Sequence, residues 1–230
     1  MIEIIGTTIE DVKRIEESGA DRIELVSALS EGGLTPSYSL IKRAVQSVKI
    51  PVNIMIRPHG KSFIYTEEEI ELMVEDILIA KELNANGVVF GTLNMKNEIC
   101  IPSLEKLLKV CHGIDVTFHK AIDEISDPAQ GIEILAAYGQ IKNVLTSGGK
   151  GNIRQNIPVI KTMVERAKHI NVIAGGGLDF ENIKNVMKNT KAPEYHFGTA
   201  VRYDKSMFGE INTDRLKLLI NTINNEEDIK

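Results

Sequence analysis

Short runs of β-branched residues alternate with longer stretches of helical periodicity along the whole chain, and this alternation is its strongest structural constraint. The pattern is typical of α/β proteins with a parallel sheet. The eight predicted strands cover residues 2–5, 21–26, 51–57, 86–91, 114–120, 142–147, 171–175 and 194–198. The eight predicted helices cover residues 8–18, 38–48, 67–83, 103–111, 127–138, 155–168, 180–190 and 212–224. Eight of each predict a single closed (β/α)8 barrel, the TIM-barrel fold, over residues 1–230.

An open, doubly wound sheet is the alternative architecture for such a pattern. It usually has fewer strands, and it opens on a glycine-rich turn that the segment IEIIGTTIEDV lacks. A weak internal repeat also favours closure, because the third, fifth and seventh strands read KIPVNIMIRP, GIDVTFHKA and HINVIAGGG.

The composition of the chain excludes several classes of protein. With 27 Lys and Arg against 32 Asp and Glu, the formal net charge is −5, which argues against a nucleic-acid binder. No apolar run reaches the roughly 18–20 residues of a membrane span, and the N-terminus lacks a secretory signal. Cys100 and Cys111 are the two cysteines, which excludes a disulfide framework and indicates a reducing compartment. We therefore expect a cytoplasmic protein.

Side chains alternate between the two faces of a strand, so the strand register predicts which of them point into the barrel. The apolar sets must face the outer helices, which leaves the polar sets inside. The inward set comprises Arg22, Glu24, Asn53, Met55, Arg57, Thr117 and His119, with His196 on the last strand. Buried charges need partners, and we expect Glu24 to pair with Arg22 or Arg57.

Glu24, Arg57 and His119 fall near the C-terminal ends of their strands, where active sites of this fold lie. We therefore predict Glu24 and His119 as candidate catalytic acid–base residues and Arg57 as an anion-binding residue. The alternative is a structural ion-pair network that fills the barrel, a role that suits Arg22, which lies low in its strand.

Two glycine-rich loops, TSGGKGN after the sixth strand and AGGGLDFEN after the seventh, follow strand ends. Exposed N–H groups in such turns bind phosphate or carboxylate, although tight turns need glycine in any case. The candidate anion-binding residues are Arg57, Ser147, Gly148, Gly149, Gly175, Gly176 and Gly177. Asp123 is expected either to orient His119 or Lys120 or to cap a helix, and Lys120 is expected to face outward.

Several phrases of the sequence are recognisable together: GADRIEL, SEGGLTPS, PVNIMIRP, GVVFGTL, VTFHKAID, LTSGG and AGGG. In this order and spacing they make the chain resemble the CutC family from about residue 2 to at least residue 200. The resemblance implies a single cytoplasmic TIM barrel that binds or handles copper, and it brings no firmly assigned enzymatic reaction.

Two positions depart from the family pattern. Family members commonly carry Cys directly after the GADRIEL phrase, where this chain has Val26, and Arg where it has Lys120. A thiolate is the preferred ligand of Cu(I), so Val26 weakens any copper site near the second strand. The soft or borderline donors that remain in the predicted pocket, and hence the candidate copper ligands, are Met55, His119 and His196.

Three functions stay open at this point. The resemblance implies a copper homeostasis protein that binds Cu(I). The residues themselves favour a pocket for a small anionic ligand, either in an enzyme for a phosphorylated or carboxylated metabolite or in a regulatory binder without turnover. The fold alone does not choose among them. A homodimer is the expected assembly.

Overall fold

Eight parallel strands close into a barrel in the order β1 to β8 in the computed structural model, which describes residues 1–227. The strands are β1 (Ile2–Gly6), β2 (Arg22–Leu25), β3 (Val52–Met55), β4 (Gly87–Phe90), β5 (Asp115–Phe118), β6 (Ile141–Thr146), β7 (Asn171–Ala174) and β8 (Glu194–Phe197). The helices are α1 (Ile9–Glu17), α2 (Tyr38–Ser47), α3 (Glu67–Glu82), α4 (Ile101–Val110), α5 (Pro128–Leu135), α6 (Ile157–Arg166), α7 (Ile183–Thr190) and α8 (Thr213–Glu227). Each helix follows the strand of the same number, which confirms the predicted (β/α)8 barrel. The last three residues of the predicted domain, 228–230, lie outside the described part.

The alternation of side chains around the barrel follows the predicted register. Ile23, Ile54 and Phe118 belong to the large apolar core between strands and helices, and all three are fully buried. Met55 belongs to a separate small cluster, with Val26 and Val89. This separation of two apolar clusters confirms that the strands present one side chain set to the helices and the other to the barrel interior.

Helix α3 begins as its sequence predicts. The Thr66 hydroxyl accepts a hydrogen bond from the Glu69 N–H, and the Glu69 carboxylate accepts one from the Thr66 N–H, which together form a capping box. The acidic residues Glu67 to Glu69 in the first turn also stabilise the helix, because their negative charges lie near the positive end of the helix dipole. Within residues 1–227, no helix combines the length and the apolar character needed to cross a membrane.

Most strands are shorter than predicted, and in β3 and β5 the difference repositions candidate site residues. Strand β3 ends at Met55 and β5 ends at Phe118, so Arg57 and His119 lie on the segments that follow. The N–H of His119 still donates to the Phe90 carbonyl, and a 3-10 helix then begins at Lys120. Residue preferences for strands extend past the last ladder pair, so the sequence does not reveal where the backbone turns.

Candidate active site

A cavity of about 370 Å³ opens at the C-terminal ends of the strands. Strands β2, β3 and β8 contribute Glu24, Met55 and His196 to its wall. The rest of the wall consists of Ile5, Leu29, Gly32, Arg57, Phe63, His119, Lys120, Leu145, Gly176, Gly177, Leu178, Gly198, Thr199 and Met207. Active sites of this fold lie on this face, and the volume suits a small metabolite.

The structure brings most of the residues predicted from the sequence to this one cavity. Its wall includes the predicted site residues Glu24, Met55, Arg57, His119, Gly176, Gly177 and His196. The predicted residues Ser147, Gly148, Gly149 and Gly175 are not part of the wall. The Gly175 N–H donates to the Thr146 carbonyl within the sheet, so it is not free for a ligand.

Arg22 on β2 forms ion pairs in the barrel interior with Glu3 on β1 and with Glu194 on β8. Its Nε donates to Glu3 Oε2 at 2.5 Å, and its Nη2 donates to Glu194 Oε2 at 2.5 Å. The prediction that Glu24 pairs with Arg22 or Arg57 is therefore wrong. Residues two apart on one strand lie about 6–7 Å apart along it, so ion pairs form between strands at one level, as Glu3 and Arg22 do.

Glu24 is 2% exposed, and its Oε1 has no hydrogen-bond partner. Its Oε2 lies 3.7 Å from His196 Nε2, while Nδ1 of the same imidazole lies 2.8 Å from Glu3 Oε1. Burial raises the pKa of Glu24 to about 7, although the nearby His196 opposes this shift. A carboxyl group with such a pKa is suited to accept or release a proton near neutral pH.

The pKa values of Glu3 and His196, which lie beside Glu24, are shifted in opposite directions. Burial alone would raise the pKa of Glu3, but Arg22 and His196 outweigh it and lower that pKa to about 2. Burial alone would lower the pKa of His196, but the carboxylates of Glu24 and Glu3 raise it. Glu3 therefore stays ionised and orients the imidazole, while Glu24 is the carboxyl group of this cluster that titrates near neutrality.

His119 presents a hydrogen-bond donor to the cavity. Its Nδ1 accepts a hydrogen bond from the Ala121 N–H at 3.2 Å, so the proton of the neutral ring is on Nε2. That Nε2 is buried and has no partner. Burial, with the positive charge of Arg57, lowers the pKa of His119 to about 3, so the imidazole is neutral at physiological pH. A protonated Nε2 has no lone pair for a metal, which argues against the predicted role of His119 as a copper ligand.

Gly91 makes room for this imidazole, and sequence reasoning missed it. A Cβ atom at residue 91 would lie 2.5 Å from His119 Nδ1 and 3.0 Å from Ala121 Cβ. The first distance is too short for a real Cβ contact and the second is tight, so a side chain at residue 91 would displace the imidazole of His119. The signal was present in the phrase GVVFGTL, where a glycine directly follows a buried strand.

Arg57 binds loop carbonyls with most of its donors. Its Nη1 donates to the carbonyls of Glu31 and Gly33 at 2.8 and 3.2 Å, and its Nη2 donates to the Gly60 carbonyl at 3.3 Å. Its guanidinium carbon lies 4.7 Å from the ring centroid of Phe63. Arg57 thus joins the loops after β2 and β3, and it contributes positive charge to the cavity from a fixed position.

The loop after β6 already holds an anion, the carboxylate of Asp123. Asp123 accepts hydrogen bonds from the N–H groups of Ser147 and Gly149, and from the hydroxyls of Ser147 and Thr146. The Gly148 N–H donates to the Thr146 hydroxyl at 2.8 Å. Ser147 and Gly149 therefore bind an anion of the protein itself, the Asp123 carboxylate. The N–H groups of Ser147, Gly148 and Gly149 all have acceptors and are not available to a ligand.

Lys120 lies on the cavity wall, although its position in the sequence predicts an outward orientation. The alternation of a strand ends at Phe118, and the 3-10 helix from Lys120 to Glu124 turns the side chain toward β7. Its Nζ lies 3.9 Å from Asp123 Oδ2, and the side chain is 44% exposed. The helical spacing of Lys120 and Asp123, three residues apart, was the one signal of this turn in the sequence.

The donors at the cavity do not form a thiolate copper centre. Cys100 precedes α4 and Cys111 follows it, both on the outside of the barrel. Burial raises the pKa of Cys111 to about 12, so it stays a thiol. Glu3, Glu24 and His196 can place one ligand atom each within 4.8 Å of one another, but Glu3 already binds Arg22 and His196. Met55 and Met207 are the soft donors on the wall, and Met55 is the buried one, whereas Met207 is 48% exposed.

Fold and cavity together define a (β/α)8 barrel protein with a buried, partly charged site at the C-terminal ends of its strands. The sequence model of the CutC family matches residues 1–201. The chain belongs to the CutC family.

Known relatives agree with this assignment. The copper homeostasis protein cutC homolog of Homo sapiens is 39% identical over 208 residues, which cover 90% of this chain and 76% of that protein. The family protein CutC of Pasteurella multocida is 41% identical over 196 residues, 85% of this chain and 80% of that protein. The crystal structure of CutC from Streptococcus agalactiae superposes with a TM-score of 0.81 at 36% identity, covering 86% of this chain and 97% of that one.

More distant structures share the fold alone. Phosphoribosyl anthranilate isomerase from Thermotoga maritima superposes with a TM-score of 0.64 at 18% identity, covering 95% of this chain and 96% of that chain. At this identity the likeness carries no information on the reaction, because the TIM barrel hosts many unrelated activities.

Proposed function

We propose that this protein is an enzyme that transfers a proton at the carbon next to a carbonyl group of a small anionic metabolite. The observation that carries the proposal is the presence of Glu24 and His119 on the wall of one cavity. Glu24 offers an unpartnered carboxylate oxygen and a pKa near 7, and His119 offers an unpartnered N–H of a neutral imidazole. A base and a neutral donor of this kind are the two groups that enolisation requires.

In the proposed step, the ionised Glu24 removes a proton from the carbon next to the carbonyl group. The electron pair of that C–H bond forms the double bond of an enolate, and negative charge develops on the carbonyl oxygen. His119 Nε2–H donates a hydrogen bond to that oxygen, where a donor in a dry site stabilises the charge most strongly. The proton on Glu24 then returns to the same carbon. In a substrate with a hydroxyl group on that carbon it can go instead to the former carbonyl carbon, once the hydroxyl proton has passed to the enolate oxygen, so atoms and charges balance in both cases without a further reactant.

The charges of the wall favour an anionic substrate. Arg57 and Lys120 both line the cavity and contribute positive charge, while Glu24 is the carboxylate on the wall and is half protonated near neutral pH. Apolar side chains, among them Ile5, Leu145 and Leu178, cover much of the remaining surface. They exclude water and lower the local dielectric, which strengthens hydrogen bonds from His119.

Hydrogen exchange in D2O tests the proposal without knowledge of the natural substrate. A panel of small phosphorylated and carboxylated aldehydes and ketones is incubated with the wild type and with Glu24→Gln, and loss of the α proton is followed by NMR. We expect at least one compound to exchange faster with the wild type than with the variant. Equal rates for both proteins across the whole panel would refute the assignment of Glu24.

Copper binding is the second function that we propose to test. It is supported by the names of the human and mouse relatives, both copper homeostasis protein cutC homologs, and by the thioether of Met55 on the cavity wall. Cu(I) is titrated against a competing chelator for the wild type, for Met55→Leu and for Cys100→Ser/Cys111→Ser. We expect weak binding that depends on Met55, and a large loss of affinity in the cysteine variant would overturn this ligand assignment.

We further propose that the protein works in the cytoplasm. Both cysteines are free thiols in the described structure, which supports a reducing compartment. The homodimer stays a prediction, for which sedimentation equilibrium of the purified protein is the direct measurement.

A further inference from the structure

We propose that Lys120 and the Gly176–Gly177 turn form a phosphate-binding subsite, and that the substrate of the proposed enzyme carries a phosphate group that binds there. The assignment of this phosphate to a substrate rests on the proposed function. Binding of the phosphate group itself does not, because Glu24 takes no part in it.

Most of the other groups that could bind an oxyanion at this face already have partners. The carboxylate of Asp123 accepts hydrogen bonds from the N–H groups of Ser147 and Gly149 in the loop after β6, and it thereby fixes the conformation of this loop. Arg57 directs three hydrogen bonds to the carbonyls of Glu31, Gly33 and Gly60. An anion at the two Nη groups of Arg57 would have to displace these bonds, each of which satisfies a backbone carbonyl. The Nε of Arg57 is buried without a partner and offers a single donor.

Lys120, in contrast, has a cationic group whose ion pair with Asp123 is long. Its Nζ lies 3.9 Å from Asp123 Oδ2, beyond hydrogen-bond distance, and both Asp123 oxygens already accept shorter bonds. A Cβ atom at Gly176 would lie 2.9 Å from this Nζ, so the ammonium group lies where a side chain of residue 176 would be. The lack of a side chain at Gly176 thus leaves room for the ammonium group beside the turn after β7.

The turn itself is built to keep its amides available. Gly176 and Gly177 have φ values of +85° and +94°, a backbone conformation that glycine adopts without strain. Asn182, which is 3% exposed, donates to the Gly177 carbonyl at 2.7 Å and so fixes the turn. Within residues 1–227, neither glycine N–H meets a hydrogen-bond acceptor. Two successive free amides beside an ammonium group match the oxygens of a phosphate.

Inorganic phosphate is the probe for this subsite, added at constant ionic strength and followed by isothermal titration calorimetry. Lys120→Met removes the charge and keeps the length of the side chain. Lys150→Met is the matched control, because Lys150 is 68% exposed and pairs with Glu124 away from the cavity wall. We expect Lys120→Met to weaken phosphate binding about ten- to a hundredfold, and Lys150→Met to leave it unchanged. Circular dichroism establishes that both variants are folded.

Several results would overturn the subsite. These are the absence of phosphate binding to the wild type at millimolar concentration, equal weakening in both lysine variants, and a loss confined to Arg57→Lys. Glu24→Gln separates this proposal from the proposed reaction, since it should abolish proton exchange and bind phosphate as the wild type does. A protein that binds phosphate through Lys120 but exchanges no substrate proton would keep the subsite and refute the enzyme.

Discussion

The carboxylate of Glu24 lies 3.7 Å from His196 Nε2 in the barrel interior, where the two residues are 2% and 6% exposed. Below them, Arg22 binds both Glu3 and Glu194. When His196 is protonated, the positive charges of Arg22 and His196 balance the negative charges of Glu3 and Glu194. This cluster is therefore neutral when Glu24 is protonated. An ionised Glu24 adds one uncompensated negative charge in a desolvated site, which is the physical reason for its raised pKa.

The rate of proton exchange should depend on pH through Glu24. A base with a pKa of about 7 is mostly protonated at pH 5, so we expect the rate to rise about tenfold per unit below pH 7 and to level off above it. His119, with its pKa lowered to about 3, stays neutral over this range and adds no second step. A rate that is flat from pH 5 to pH 8 would contradict a role for Glu24 as the base.

The free energy of unfolding should also depend on the ionisation of Glu24, but it should fall with rising pH where the exchange rate rises. The folded-state pKa of Glu24 lies above its ordinary value of 4.5, so its protonated form stabilises the fold at low pH. That contribution is lost as the pH rises from about 4.5 through 7. We expect Glu24→Gln to unfold at a higher temperature than the wild type at pH 8, with little difference at pH 4. Calorimetric melting temperatures at both values check this, and a variant that is less stable at pH 8 would show that the ionised Glu24 is well paired.

Removal of the donor at His119 should slow the reaction and leave binding intact. We expect His119→Ala to lower the exchange rate constant by about a hundred- to a thousandfold, as loss of a donor to a developing oxyanion does. The affinity for inorganic phosphate, measured on the same preparation, serves as the control for folding and for the subsite at Lys120. An unchanged rate constant with unchanged affinity would remove His119 from the reaction.

Arg57→Ala should destabilise the protein more than it weakens anion binding. The change leaves the carbonyls of Glu31, Gly33 and Gly60 without their donor, which costs about 2–3 kcal/mol of unfolding free energy. For a chain of this size that corresponds to a melting temperature lower by about 4–12 °C. Arg57→Lys should not restore it, because one ammonium group cannot reach three carbonyls that a planar guanidinium spans. A stable Arg57→Ala variant with strongly weakened phosphate binding would assign Arg57 to the ligand instead.

Val26→Cys should create a copper site where the wild type has an apolar contact. A Cβ atom at Gly33 would lie 3.2 Å from Val26 Cγ1 and 3.5 Å from the methyl carbon of Met55, so both side chains pack at the same place. A thiol at residue 26 would join the thioether of Met55 as a second soft donor. We expect Cu(I) affinity to rise at least about tenfold over the wild type, with Val26→Ser as the control of similar size. Equal affinities of the Cys and Ser variants would contradict a site at Met55.

The sequence by itself determined the barrel and the inward position of its polar side chains. Both follow from local periodicity: a strand alternates its faces every residue, and a helix repeats every 3.6 residues, wherever the segment lies in the fold. Glu24 and Met55 could therefore be assigned to the barrel interior before any contact was known. The glycines of the phrase AGGG, residues 175–177, could likewise be assigned to the end of a strand.

Tertiary structure decided which of these residues interact. The imidazole of His196 meets Glu3 across 193 positions of the chain, and the Asp123 carboxylate occupies the loop that was predicted for an external anion. Lys120 reaches the cavity because the ladder ends two residues earlier and a 3-10 turn rotates its side chain. Closure of the barrel brings residues that are distant in the sequence close together. In a desolvated interior electrostatic interactions are strong at short range, so each charged group pairs with whichever group the fold places beside it. Local sequence patterns do not encode these pairings.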